Sequence, residues 1–194
     1  MKKKKTKKTL LPTLLAVFVI GIGAYYGIDV NELLEPAEQS GSTHEISQER
    51  ILADVVKVID GDTIKINYEG KEENIRFLLI DTPEMRHKQF DGPQPYAVEA
   101  KEKVEELLKD GKVEIELGIQ ERDKYGRLLG YLYVDGVSLQ EVLLEEGLAR
   151  VAYVYNDKRH LDDYLKIEKE AKKKKKGIWS IEDYVTDKGY QMEQ

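Results

Sequence analysis

The acidic-glycine pairs Asp60-Gly61, Glu69-Gly70, Asp110-Gly111 and Asp135-Gly136 cut the middle of this chain into runs that allow only short elements. Such pairs make tight turns, because glycine enters the left-handed backbone region at little steric cost. The runs they bound are apolar and rich in β-branched residues. Residues 52–59 read LADVVKVI and stop at Asp60-Gly61. Residues 63–68 alternate, with Ile64 and Ile66 on one face and Lys65 and Asn67 on the other. A third apolar run covers residues 74–80 after Glu69-Gly70. Three strands in a meander follow from this pattern.

Pro93 and Pro95 then open a helical stretch over residues 96–109. There Ala97, Ala100, Val104, Leu107 and Leu108 recur at helical spacing until Asp110-Gly111 ends it. Further strands are predicted over residues 113–117 and 127–134. Ser138 caps a short helix to Glu146, with Gly147 as its stop, and residues 160–176 form a last, charged helix. Five short strands with a helix between the third and fourth suit an α+β fold with a mainly β core: an OB-fold five-stranded Greek-key barrel with three helices. A fold of this kind settles no function by itself.

The domain is expected over residues 50–182, with 183–194 as a C-terminal tail. Ahead of it, six lysines in the first nine residues precede an uncharged apolar stretch over residues 10–28. That stretch has the length of a bilayer-spanning helix and exceeds a secretory apolar core of about 7–15 residues. It predicts a retained transmembrane anchor or a cleaved export signal. In either case the lysines stay inside and the remainder is extracytoplasmic, membrane-anchored or secreted. Residues 29–49 are polar and acidic, with Pro36, Ser40, Gly41, Ser42 and Thr43, and read as a flexible linker.

The whole chain carries 31 basic and 37 acidic residues. Setting aside the six leading lysines leaves 25 basic against 37 acidic, a net charge of -12. Bulk charge therefore does not attract polyanions, and any nucleic-acid partner needs a local basic site or a metal ion. The absence of cysteine excludes disulfides, zinc thiolates and cysteine nucleophiles. His44, His87 and His160 show no metal-ligand spacing.

Charge in unexpected places carries the chemical signal. In IRFLLIDTPEMR, residues 75–86, a core strand is flanked by Arg76 and by Asp81 and Glu84. In a meander the start of the second strand meets the end of the third, so Asp62 and Asp81 can meet. Two bare carboxylates about 4 Å apart repel by roughly 4 kcal/mol at an effective dielectric near 20, and a hard cation relieves that. Oxygen ligands alone point to calcium, with magnesium second. Each aspartate taken singly reads equally well as a turn or cap residue. Arg76 and Arg127 are either salt-bridge partners or a guanidinium clamp for a phosphodiester, with Glu84 in reach of a water. Because Arg76 and Asp81 are five residues apart, a straight strand would point them to opposite faces, so the strand must twist, bulge or end first.

Five motifs in unbroken order resemble the staphylococcal (micrococcal) nuclease family: DGDT at 60–63, RFLLIDTPE at 76–84, DKYGR at 123–127, VAYVY at 151–155 and GIW at 177–179. The similarity covers about residues 52–181. It implies a calcium-dependent endonuclease that hydrolyses DNA and RNA to 3'-phosphate products. By position, Asp62, Asp81 and the Thr82 carbonyl match its calcium ligands, and Asp60 a carboxylate near the metal. Glu84 matches the residue that positions or deprotonates water, and Arg76 and Arg127 match the arginines on the scissile phosphate. Tyr153 and Tyr155 match tyrosines beside the nucleotide, and Lys124 and Tyr125 the pair near its terminal phosphate. No protein partner is implied, and the enzyme is expected to be a monomer.

The residues also permit other readings. VAYVY reads on pattern alone as a half-buried strand, and Trp179 as a core residue. The lysines at 172–176 fit a solvated helix end or a nucleic-acid patch. The loop MRHKQFDGPQP at 85–95 departs from the best-known member in length and lysine content. With an acidic domain, Lys65, Lys124 and the two arginines would have to supply attraction. A noncatalytic OB-type binding module and a structural calcium-binding surface domain are the competing functions.

Overall fold

The computed structural model describes residues 50–86 and 91–191. The expected signal or anchor, the whole linker, His44 and His87 lie outside these residues. Six strands form one sheet in the order β3-β2-β1-β5-β6-β7. They are β1 (Ile51–Asp60), β2 (Thr63–Tyr68), β3 (Lys71–Phe77), β5 (Lys112–Arg122), β6 (Leu128–Val134) and the short β7 (Val137–Ser138). A parallel pairing of β3 with β6 closes β1, β2, β3, β5 and β6 into a barrel. This is the expected OB-like barrel of five strands. Three α-helices accompany it among the described residues: α1 (Ala97–Leu107), α2 (Leu139–Glu145) and α3 (Leu161–Lys173).

The turns follow from the acidic-glycine pairs. Glu69 and Gly70 both take positive φ, 51° and 76°, between β2 and β3, the two-residue turn whose twist suits a hairpin. Asp135 and Gly136 repeat this between β6 and β7. Gly61 differs, because its role is space. A Cβ there would lie 2.7 Å from the Cβ of Ala100 and 2.9 Å from Oγ1 of Thr82. Ser138 caps α2 as predicted, its hydroxyl accepting from the Glu141 amide.

Alternation buries Ile64, Ile66, Ile75, Phe77, Val113, Ile115, Leu128 and Leu132 inside the barrel, with Ala100, Val104, Leu139, Leu143 and Leu144 from α1 and α2 against them. Each of these side chains other than Ala100 contributes roughly 1.5–3 kcal/mol of burial. A polar knot lies at the side. Asp157 accepts from the Tyr131 hydroxyl at 3.0 Å and the Ile119 amide at 3.0 Å, and pairs with Arg159, which also grips Glu116. Burial pushes the Asp157 carboxyl up, but the Arg159 guanidinium, the Ile119 amide and the Tyr131 hydroxyl outweigh it and bring it down to about 2.

Four expectations are altered. The apolar run 74–80 is not one strand: β3 ends at Phe77, Leu79 takes φ 64°, and β4 (Ile80–Asp81) starts afresh, paired with β8 (Arg150–Val151). VAYVY is strand only at Val151, and Tyr153 has φ 53°. Trp179, in a 3-10 turn at Gly177–Ser180, is half-buried, while the neighbouring Ile178 is fully buried. The stretch read as a tail carries a hairpin, β9 (Val185–Thr186) and β10 (Gly189–Tyr190).

Candidate active site

The break in the third apolar run builds the site. By turning the chain at Leu79, a buried non-glycine residue in a rarely occupied conformation, it returns Asp81 to the side on which Arg76 lies. The Nη2 atom of Arg76 then stands 3.0 Å from Oδ2 of Asp62 and 3.5 Å from Oδ1 of Asp81. All three side chains are buried. Asp62 is fixed further by the Thr82 amide at 2.9 Å and the Thr63 hydroxyl at 3.0 Å. Asp81 is gripped from its other side by Arg150, whose Nε and Nη2 each lie 3.0 Å from Oδ2.

Asp60 and Glu84 complete an acidic group. Asp60 accepts from the Gly61 amide at 2.9 Å and the Met85 amide at 3.4 Å. Burial and then the Asp62 charge raise its carboxyl. Burial first and Asp62 second also raise Asp81, against the opposing pull of Arg76 and Arg150. Glu84 is exposed as a residue, but partial burial of its carboxyl together with Asp60, Asp62 and Asp81 pushes it up to about 7. Asp60, Asp81 and Glu84 are thus each raised in part by a neighbouring carboxylate, the electrostatic state that an added cation relieves.

Among the described residues no three acidic or histidine side chains already converge as a closed cage. The guanidinium of Arg76 stands between Asp62 and Asp81 instead. Even so, the donor set suits a hard divalent ion: carboxylate and backbone oxygens without sulfur or imidazole. Next to Asp81, Oγ1 of Thr82 is buried with no hydrogen-bond partner, on the side of that residue that faces Gly61. These residues fit such an ion.

Of the other predicted residues, Tyr153 joins the cluster. Its ring lies 5.4 Å from the Arg76 guanidinium, and the Asp81 charge and burial raise its hydroxyl. Tyr155 is exposed, as are Lys124 and Tyr125, whose ammonium lies 5.0 Å over the ring. Arg127 is tied to Asp123, its Nε 2.7 Å from Oδ2, and its guanidinium lies 5.7 Å from the Tyr125 ring. In the β3–β6 register Arg76 pairs with Leu129. Arg127, two residues earlier, therefore falls on the Arg76 side, roughly 7 Å along the strand direction. Lys65 is engaged with Glu72 at 2.9 Å. In the lysine run, Lys172 pairs with Glu168 and lies 4.3 Å over Trp179, and Lys176 bonds the Glu145 carbonyl, which favours the structural reading of that run.

Several residues that shape the site carry no sequence signal strong enough to select them. Gln94, buried between two prolines, bonds Glu84 twice. Its side-chain oxygen accepts from the Glu84 amide at 2.7 Å, and its own amide donates to the Glu84 carbonyl at 3.0 Å. Arg150 precedes a matching motif without belonging to it. Asp123 was legible only as a turn residue, yet it accepts from the Tyr125 and Arg127 amides as well as the Arg127 side chain.

Comparison with known proteins shows which family the chain is similar to. A family described as staphylococcal nuclease homologue matches residues 74–181. The chain is 45% identical over 163 residues to Endonuclease YncB of Bacillus subtilis (strain 168), covering 82% of this chain and 77% of that protein. It is 51% identical over 136 residues to the SPbeta prophage-derived endonuclease YokF of the same organism, covering 69% of this chain but only 46% of the relative. To the Thermonuclease of Staphylococcus hyicus it is 39% identical over 126 residues, covering 65% and 74% respectively. By the extent of these matches, the chain belongs to the staphylococcal nuclease homologue family.

Proposed function

We propose that this nuclease is an extracytoplasmic endonuclease that uses calcium to hydrolyse phosphodiester bonds of DNA and RNA, leaving 3'-phosphates. The observation that supports it best is the joining of Asp62, Asp81 and Arg76 within 3.5 Å, with Asp60, Glu84 and Tyr153 around them. Asp62, Asp81 and the Thr82 carbonyl would hold the ion, with Asp60 nearby. Bound there, calcium would offset the carboxylate charge and polarise a phosphoryl oxygen. Glu84, whose backbone is held by Gln94, orients a water and takes its proton. Arg76 and Arg127 engage the phosphate oxygens, where negative charge grows in the transition state. Tyr153 and Tyr155 offer rings and hydroxyls to the adjoining nucleotide, and Lys124 with Tyr125 meets its terminal phosphate.

A noncatalytic binding module is disfavoured by the same cluster. Four neighbouring carboxyl groups repel phosphate, and only a cation makes them useful to it. The placement outside the membrane rests on the lysine-led apolar stretch at 10–28, acting as anchor or signal. Digestion of DNA and RNA by the full chain in calcium, with end-group analysis of the products, tests the reaction. Products bearing 3'-phosphates agree with it, and 5'-phosphate products contradict it.

A further inference from the structure

Beyond residue 181, where the family match stops, the chain folds back onto the site. The hairpin β9–β10 and the tyrosine ahead of it reach two points of the site's own chain segment, Asp81 and Pro95. At the first, the Tyr190 hydroxyl donates to the Asp81 carbonyl at 2.6 Å. At the other, the Tyr184 hydroxyl donates to the Pro95 carbonyl at 2.8 Å, next to the Gln94 that holds Glu84. The two rings stand 5.2 Å apart, and the Gln191 amide closes onto the Tyr184 carbonyl at 2.7 Å. Tyr184 is 3% exposed.

The grip extends to the Asp81 side chain. Arg150, which holds Oδ2 of Asp81, has its guanidinium 5.7 Å from the Tyr190 ring. Gly189, at φ 122°, lets the backbone of β10 pass beside that guanidinium, where a Cβ would lie 3.9 Å from Nη2. Backbone and side chain of Asp81 are thus fixed from one side by Tyr190 and Arg150. Simple closure of the domain end would bury tyrosine rings anywhere on the barrel. Two hydroxyls aimed at Asp81 and at Pro95, the neighbour of the Gln94 that holds Glu84, is a more particular arrangement.

We propose that the C-terminal hairpin is a positioning element of the active site, with Tyr190 and Tyr184 fixing the spacing between the metal ligand Asp81 and the water-orienting Glu84. This rests on the proposed function for the roles of those two residues. Partners of metal ligands commonly tune affinity for the ion by orienting its ligands.

The test uses the full chain with Tyr190→Phe, which removes one hydroxyl while keeping the ring. In Tyr190→Phe the calcium concentration for half-maximal binding, read by calorimetry without substrate, should rise about tenfold. In calcium-free protein, exchange of the Thr82 amide, which donates to Asp62, should quicken about tenfold while exchange in β5 and β6 stays as in the parent. Unchanged Thr82 exchange, or quickening spread evenly over the barrel, overturns the proposal. If the parent binds no calcium and cuts no nucleic acid, the functional reading fails alone, and amide exchange still decides for or against the hairpin.

Discussion

The Nη2 atom of Arg76 lies 3.0 Å from Oδ2 of Asp62, so a phosphate-binding candidate is paired with a metal-binding one. The pairing gives Arg76 two tasks. It compensates buried carboxylates in the ion-free protein, and it stands ready to turn to substrate once a cation takes over that compensation.

Replacing Arg76 should separate these tasks. Arg76→Ala leaves Asp62 without its ion-pair partner and should cost about 3–5 kcal/mol of stability in calcium-free solution. With the competing positive charge gone, calcium affinity should hold or improve, so calcium should raise the melting temperature more in the variant than in the parent. The rate at saturating calcium should still fall by at least about 100-fold. Thermal melts with and without calcium, beside single-turnover rates, measure both effects.

Gly61→Ala should damage the site without touching a ligand. Its Cβ would come within 2.7 Å of Ala100 and 2.9 Å of Thr82. Overpacking of this kind costs about 1–3 kcal/mol, and here it would push on the Asp62–Thr82 contact. Lower stability together with weaker calcium binding is the expected result in urea unfolding and calorimetry.

Asp157 should make the fold acid-sensitive. Its carboxyl is brought from an ordinary 3.8 down to about 2 in the folded chain. A depressed pKa contributes stability that is fully present above the unfolded value near 4 and is lost as pH falls toward 2. At 1.36 kcal/mol per unit the contribution is about 2 kcal/mol. Asp157→Asn should be less stable than the parent by about that amount at pH 7, with the gap closing between pH 4 and pH 2. Urea unfolding at pH 7, 4 and 2.5 checks the sign and the window.

Much of this was legible in the residues because turns and alternation are local. Asp-Gly and Glu-Gly pairs marked strand ends, and the period of two placed Ile64, Ile66 and Ile75 inside. The meander rule alone brings Asp62 to Asp81. What stayed hidden depends on single backbone torsions or long-range partners. The break at Leu79 leaves no mark in an unbroken apolar run, although the charges at its two ends required one. Tyr153 at φ 53° overrides the alternation that VAYVY suggests. Gln94, Arg150 and Tyr190 gain their places from contacts across 10, 69 and 109 residues, which no local pattern encodes.

The central claim is that the carboxylate cluster serves calcium-dependent hydrolysis with Glu84 acting on water. Its most direct measurement is DNA cleavage by the full chain across a calcium titration, with excess chelator and with Glu84→Gln as parallel arms. Cleavage that rises with calcium, disappears with chelator and drops by at least about 100-fold in Glu84→Gln is the predicted result. Cleavage unchanged by chelator, or a loss below about tenfold in Glu84→Gln, would contradict it.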